Sequence, residues 1–255
     1  RLNSLENNEF KYPFSRIHSD LDFQFSGGGY LSKTYTIKSL LQPKVVNMKI
    51  SISPPKHTNK KRELIENNGD LVISEGSLVN WDIQLENTDN CSFTMGKTPV
   101  KESTKNQFNI KRQIFRHTNY SIISSSANSL SDTLTCFIKV ITDEFPKITL
   151  VQSYDTINKK HLFGGVIEDD YLLTKLEFIY SYTASDSVIF SSEEILIQRK
   201  SLEQFFHSVN FEALNIDPGQ ELSYYFKVWD NDGVNGEKFT NSKIFTYKEA
   251  STAEL

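Results

Sequence analysis

The sequence predicts an all-β chain of antiparallel sandwiches, and three observations carry that prediction. Apolar residues alternate with polar ones over short stretches. Aromatics are plentiful, with 18 Phe and 11 Tyr against 2 Met. One short motif returns at intervals of roughly a hundred residues, the size of a single sandwich domain. Period-two alternation gives a strand one buried and one wet face, as antiparallel sandwiches require. Aromatic side chains suit that pleated, half-buried surface.

The strands follow in chain order. Leu21, Phe23 and Phe25 alternate ahead of Gly27-Gly28-Gly29. No Gly-Lys-Ser/Thr follows these glycines and no helix starts there, so they read as a hairpin turn and not as a phosphate cradle. Val46, Met48, Ile50 and Ile52 alternate until Pro54-Pro55 ends the strand. Val79, Trp81, Ile83 and Leu85 point Trp81 inward, and Tyr120 and Ile122 mark the next clear strand. Leu176, Phe178, Tyr180 and Tyr182 form another, counted as the second strand of its domain; Leu222, Tyr224, Phe226 and Val228 form the last. Helical signal is thin. Ser201 could cap a short turn through Phe206, and Lys248-Glu249-Ala250 reads as the start of a linker or helix over residues 249–255.

The repeat organises these strands. Ser32-Lys33-Thr34-Tyr35-Thr36-Ile37 returns as Ser131-Asp132-Thr133-Leu134-Thr135-Cys136 and as Ser242-Lys243-Ile244-Phe245-Thr246-Tyr247. Each copy follows an alternating strand and a turn-rich gap, which makes a closing hairpin. Two copies are followed by Pro-Lys-apolar, at Pro43 and Pro146. A residue without a backbone donor suits the crossing between domains. The expected organisation is tandem immunoglobulin-like sandwiches: residues 1–42 the C-terminal hairpin portion of a preceding domain, then domains at 43–145 and 146–248.

Bulk properties exclude several classes. At 38% hydrophobic and 24% charged, 255 residues sustain packed cores. A net charge of −4 without a basic stripe argues against nucleic acid. No apolar run reaches the roughly 20 residues of a membrane span, so this stretch is expected to make no membrane contact. Arg1 at one end and Thr252-Ala253-Glu254-Leu255 at the other suggest a piece of a longer polypeptide. Cys91 and Cys136 suit neither zinc nor a disulfide framework. Placed on strands flanking a third, they lie about 9–10 Å apart, too far to bridge, and read as buried thiols.

The candidate site is the stretch Trp229 to Glu237, which lengthens the last hairpin. Asp230 and Asp232 are its candidate metal ligands, because alternating oxygen-bearing side chains with a glycine can wrap calcium. The alternative is structural, since Asp-Gly and Asn-Gly are ordinary turn chemistry. An EF-hand would need an acid where Val228 stands. The acidic run Glu168-Asp169-Asp170 is expected at the opposite end of the sandwich, some 20 Å away, outside both a shared ion and the 5–9.5 Å of paired glycosidase acids. The basic run Lys56 to Arg62 reads as a solvated connection. His18, His57, His117, His161 and His207 are scattered, and no Ser or Cys has an evident base. No catalytic residue, enzyme activity or cofactor is expected, calcium excepted as the alternative.

Further residues carry a resemblance. Gly164-Gly165-Val166-Ile167-Glu168-Asp169-Asp170-Tyr171, Pro218-Gly219 ahead of Leu222–Trp229, and Asp230-Asn231-Asp232-Gly233-Val234-Asn235-Gly236 resemble a domain-of-unknown-function family of large membrane-anchored envelope proteins of Bacteroidetes. Pro54-Pro55-Lys56-His57-Thr58, Gly69-Asp70-Leu71 and Glu75-Gly76 resemble the preceding domain there, with His57 at a position usually aromatic and Asn59 at one usually glycine. The resemblance spans about residues 15–255. It implies an N-terminal membrane anchor, several extracytoplasmic (periplasmic) sandwiches and a helical region beyond Leu255. It supplies no catalytic residues. The expected role is a structural and interaction segment of a cell-envelope protein, a spacer and docking surface for other envelope proteins or domains of the same chain. The alternative role is a calcium-dependent adhesin or glycan-binding module.

Overall fold

The computed structural model describes residues 3–4, 10–15, 17–128, 130–184, 187–214, 216–217 and 219–248. The expected linker or helix at 249–255 and the resemblance residue Pro218 lie outside the described residues.

The chain is all-β. Its strands are β1 (Asn3–Ser4), β2 (Phe10–Lys11), β3 (Leu21–Phe23), β4 (Ser26–Gly27), β5 (Tyr30–Leu31), β6 (Tyr35–Ile37), β7 (Lys44–Ser53), β8 (Glu63–Glu66), β9 (Leu71–Ser74), β10 (Ser77–Glu86), β11 (Asn90–Met95) and β12 (Thr98–Ser103). They continue with β13 (Gln107–Ile114), β14 (Thr118–Ser125), β15 (Ser131–Ile141), β16 (Lys147–Asp155), β17 (Lys160–Glu168), β18 (Leu173–Ala184), β19 (Ser187–Ile195), β20 (Leu202–Val209), β21 (Glu221–Asp230), β22 (Phe239–Asn241) and β23 (Phe245–Lys248). Short 3-10 turns occupy Lys56–Thr58 and Phe211–Leu214.

Two compact units are present. The first comprises Arg1–Val46, Gln84–Phe108 and Ser121–Leu134; the second comprises Asn47–Ile83, Asn109–Tyr120 and Thr135–Leu255. In the first, β3 pairs with β6 and β4 with β5, both antiparallel. Gly28 and Gly29, both at positive φ, make the two-residue turn between β4 and β5. Strand β11 pairs with β12 across an irregularity at Phe93/Thr94 and buries Cys91 and Phe93.

The second unit holds a complete sandwich over residues 147–248. One sheet has the order β16-β17-β20; the other has β19-β18-β21-β22, with β23 also on β21. Between them Phe163, Phe178, Phe205, Phe211, Tyr224 and Phe226 form a buried aromatic core with Ile167, Leu173, Leu176, Leu222 and Val228. Burying each such side chain stabilises by about 1.5–3 kcal/mol. Gly165 makes the close packing possible: a Cβ there would lie 2.6 Å from both the Phe205 ring and the Thr149 carbonyl oxygen.

Elsewhere in this unit Trp81 is fully buried, edge-on to Tyr120, whose hydroxyl donates to the Gly69 carbonyl at 2.7 Å. One parallel pair, β9 with β15 (Leu71 opposite Ile138), departs from the antiparallel pattern. Pro43 and Pro146 are buried immediately ahead of β7 and β16.

One local reading is corrected. Ser201 caps no helical turn: Leu202–Val209 is a strand paired to β17 from Leu202↔Glu168 to Val209↔His161. Six residues can match either period. The partner strand decides, taking Phe205 into the core and leaving Phe206 80% exposed.

Candidate functional site

The loop after β21 is shaped by its aspartates. Asp230 Oδ1 accepts the backbone N–H groups of Asp232 (3.1 Å) and Lys238 (2.7 Å). Asp232 Oδ1 accepts those of Val234 (2.7 Å) and Asn235 (3.1 Å). Such side-chain-to-backbone bonds build an Asx-type turn. They leave one oxygen free on each carboxylate.

Those two oxygens meet the Lys238 ammonium, Asp232 Oδ2 at 2.9 Å and Asp230 Oδ2 at 3.2 Å. Asp143, on the segment between β15 and β16, supplies a third carboxylate to the same Nζ through Oδ1. Its other oxygen lies 3.2 Å from His57 Nε2. The His57 ring stands edge-on to Tyr171 at 5.5 Å between centroids, and its carbonyl accepts from Asn231 Nδ2 at 3.0 Å. Lys60 Nζ donates to Ser74 Oγ at 2.9 Å and to the Tyr171 hydroxyl at 3.3 Å. The Asp230 and Asp232 side chains are fully buried, and those of Asp143, His57 and Lys238 are 6, 8 and 15% exposed.

Titration follows from burial and pairing. For Lys238, burial opposes the ammonium, but the bonds to Asp143, Asp232 and Asp230 outweigh it and hold the pKa well above the usual lysine value. Burial likewise opposes the charged form of Asp232, where Lys238 and the Val234 and Asn235 amides win and the pKa falls. At Asp143 burial outweighs Lys238, and the carboxyl is pushed up. Asp169, whose Oδ2 accepts the Tyr171 N–H at 3.0 Å, is raised to about 6 by burial, helped by the charges of Asp170, Asp230 and Asp143.

Two sequence expectations are overturned here. The acidic run at 168–170 does not lie at the far end from Asp230 and Asp232: Leu173 pairs with Asp230, so the loop before β18 and the loop after β21 share one end. The error came from counting. Residues 147–155 and 160–168 are already the first two strands, so Leu172–Tyr182 is the third, and it begins beside the end of β21. The basic run at 56–62 is not merely a solvated connection either, because it delivers His57 and Lys60 to the site.

Asp230 and Asp232, the candidate metal ligands, do come together, but around an amine. His57, Asp143 and Asp232 each offer a ligand atom within 4.8 Å of the others. Calcium takes 6–8 oxygens. Here the Oδ1 atoms of Asp230 and Asp232 are engaged by amides, one neighbouring donor is an imidazole, and Lys238 contacts all three carboxylates. The set does not fit calcium, and the structural turn is the alternative the geometry favours. Sequence reasoning missed His57, Asp143, Lys238 and Tyr171. No local spacing links them, since Asp143 and Lys238 are 95 residues apart.

The thiols of Cys91 and Cys136 are free and buried; burial pushes Cys91 up to about 12 and raises Cys136 as well. No helix among the described residues is long and apolar enough to cross a membrane.

No family model matches the chain, and no curated protein matches it. Among solved structures, it is similar to one from a study of how a 1.5-MDa bacterial ice-binding adhesin is retained at the host cell surface, at 12% identity and a TM-score of 0.36. That likeness covers 71% of this chain and 60% of the other, so the chain spans about three-fifths of that structure's length. A Bacteroides uniformis protein described as a candidate carbohydrate binder is similar at 8% identity and a TM-score of 0.30, covering 64% of this chain and 89% of that one. A Bacteroides uniformis β-glucuronidase is similar at 10% identity and a TM-score of 0.23, covering 68% and 23%. At these identities and scores none of the likenesses carries an argument about function.

Proposed function

We propose that the chain is a non-enzymatic structural and interaction segment of a membrane-anchored cell-envelope protein, extracytoplasmic, with β-sandwiches acting as spacer and docking surface for other envelope proteins or domains of the same chain. One observation carries the reading. Lys238, on the loop between β21 and β22 of the 147–248 sandwich, is buried against Asp143, which precedes that sandwich, and Asp143 touches His57 of a still earlier loop. Buried, directional ion contacts specify one arrangement of the groups that make them and penalise alternatives. A spacer needs that property at a junction; a hinge does not. Some residues of the stretches that resemble the envelope family, Thr58, Glu75, Tyr171, Asp232, Val234 and Asn235, line one small recess beside His57 and Asp143.

Spin labels at the exposed positions Lys139 and Glu221 would test the reading by electron–electron resonance. A single narrow distance distribution is expected, broadening in Asp143→Asn. A broad distribution in the unsubstituted protein would remove the spacer role.

A further inference from the structure

Two hairpins of the molecule are copies down to single hydrogen bonds. In the hairpin of β21 and β23, Ser242 N–H donates to the Phe226 carbonyl at 2.8 Å, Phe226 N–H donates to Ser242 Oγ at 3.0 Å, and Ser242 Oγ donates to the Lys243 carbonyl at 2.8 Å. In the hairpin of β3 and β6, Ser32, Phe25 and Lys33 make the same three bonds, each at 2.8 Å. The register agrees: Leu21, Asp22 and Phe23 oppose Ile37, Thr36 and Tyr35, as Leu222, Ser223 and Tyr224 oppose Tyr247, Thr246 and Phe245. So do the rings, with Phe23 stacked on Tyr35 at 5.5 Å and Tyr224 on Phe245 at 5.4 Å. A lysine lies over the second ring in both, Lys33 at 5.3 Å and Lys243 at 4.9 Å. The middle copy of the sequence motif differs, since Ser131 opens an unbroken strand through Ile141.

What differs between the twins is cover. Phe226 is fully buried, and its counterpart Phe25 is 49% exposed; Tyr35 is 39% and Tyr30 84% exposed. Phe10, Tyr12 and Phe14 extend the same surface, with Phe14 5.6 Å from Phe23, and are themselves 60, 56 and 38% exposed. An apolar surface of this kind, with strand geometry identical to a buried one, marks a docking face.

The twin shows what fits it. We propose that the face of Phe23, Phe25 and Tyr35 docks a three-stranded antiparallel sheet with an aromatic inner face, the equivalent of β16-β17-β20, supplied by the stretch of the same polypeptide immediately N-terminal to this one. The argument for that source is order. In the sandwich of residues 147–248, all three covering strands precede the hairpin they cover. This inference stands apart from the spacer reading, which rests on the contacts of His57, Asp143 and Lys238.

Hydrogen exchange of residues 21–37 tests it, comparing the 255-residue chain with the same chain lengthened N-terminally by about 75 residues of its natural polypeptide. Exchange is expected to slow at least tenfold in the lengthened chain alone, and Phe25→Asp is expected to abolish that protection while leaving exchange in 147–248 unchanged. Equal exchange in the two chains overturns the proposal. Protection of the 255-residue chain that grows with its concentration also overturns it, and assigns the face to a second copy instead.

Discussion

The 147–248 sandwich has two buried regions built on opposite principles. Its centre is packed with rings, Phe163 against Tyr224 and Phe226 and Phe178 against Phe226, at centroid separations of 5.1–5.6 Å. One end is packed with charge, three carboxylates around Lys238. Burial of the rings rewards removal of area from water in any arrangement, with a smaller added preference for edge-on or offset geometry. Ion contacts reward one geometry, and desolvation offsets much of their gain. The centre accounts for folding stability, and the end accounts for which loops meet.

Substitutions can break that contrast. The largest expected effect is at the centre: Phe226→Ala leaves a cavity and costs about 3–5 kcal/mol in denaturant unfolding, with little dependence on pH. Lys238→Met should cost about 3 kcal/mol at pH 7, because three buried carboxylates then face one another without a cation. Its loss should shrink on acidification as those acids take up protons, whereas a pH-independent loss would show that Lys238 contributes packing alone. Added calcium should leave the melting temperature of the unsubstituted protein unchanged.

The smallest effect sharpens the comparison. Asp169 has a folded pKa of about 6 against an ordinary value of 3.8, so the folded state binds its proton more tightly than the unfolded state does. Its contribution is therefore greatest below about pH 4 and declines as pH rises to about 6. Asp169→Asn should raise stability at pH 7 by about 1 kcal/mol, after allowance for partial exposure, and should flatten the stability profile between those limits. A lowered stability at pH 7 would assign Asp169 a favourable ionic partner.

Strand content was open to reading because period-two alternation is a local property. Val79 to Leu85 with Trp81 inward, Val46 to Ile52 and Leu176 to Tyr182 all appear as strands. The glycine turn at 28–29 and the prolines ahead of β7 and β16 were equally local, since each follows from the backbone of one or two residues. The short stretch from Ser201 to Phe206 was not, because six residues satisfy either period until a partner strand chooses.

For the site, the sequence alone identified the Asp230–Glu237 loop as unusual and offered two chemistries for it, a turn and a cation loop. Tertiary structure added Lys238 and Asp143 to the Asp230 and Asp232 carboxylates, and it moved the acidic run at 168–170 to the same end. The reason is physical. Alternation and turn chemistry act over two to five residues, whereas a charge cluster is assembled by strand order, and miscounting one strand reverses the end of the sandwich at which every later loop emerges.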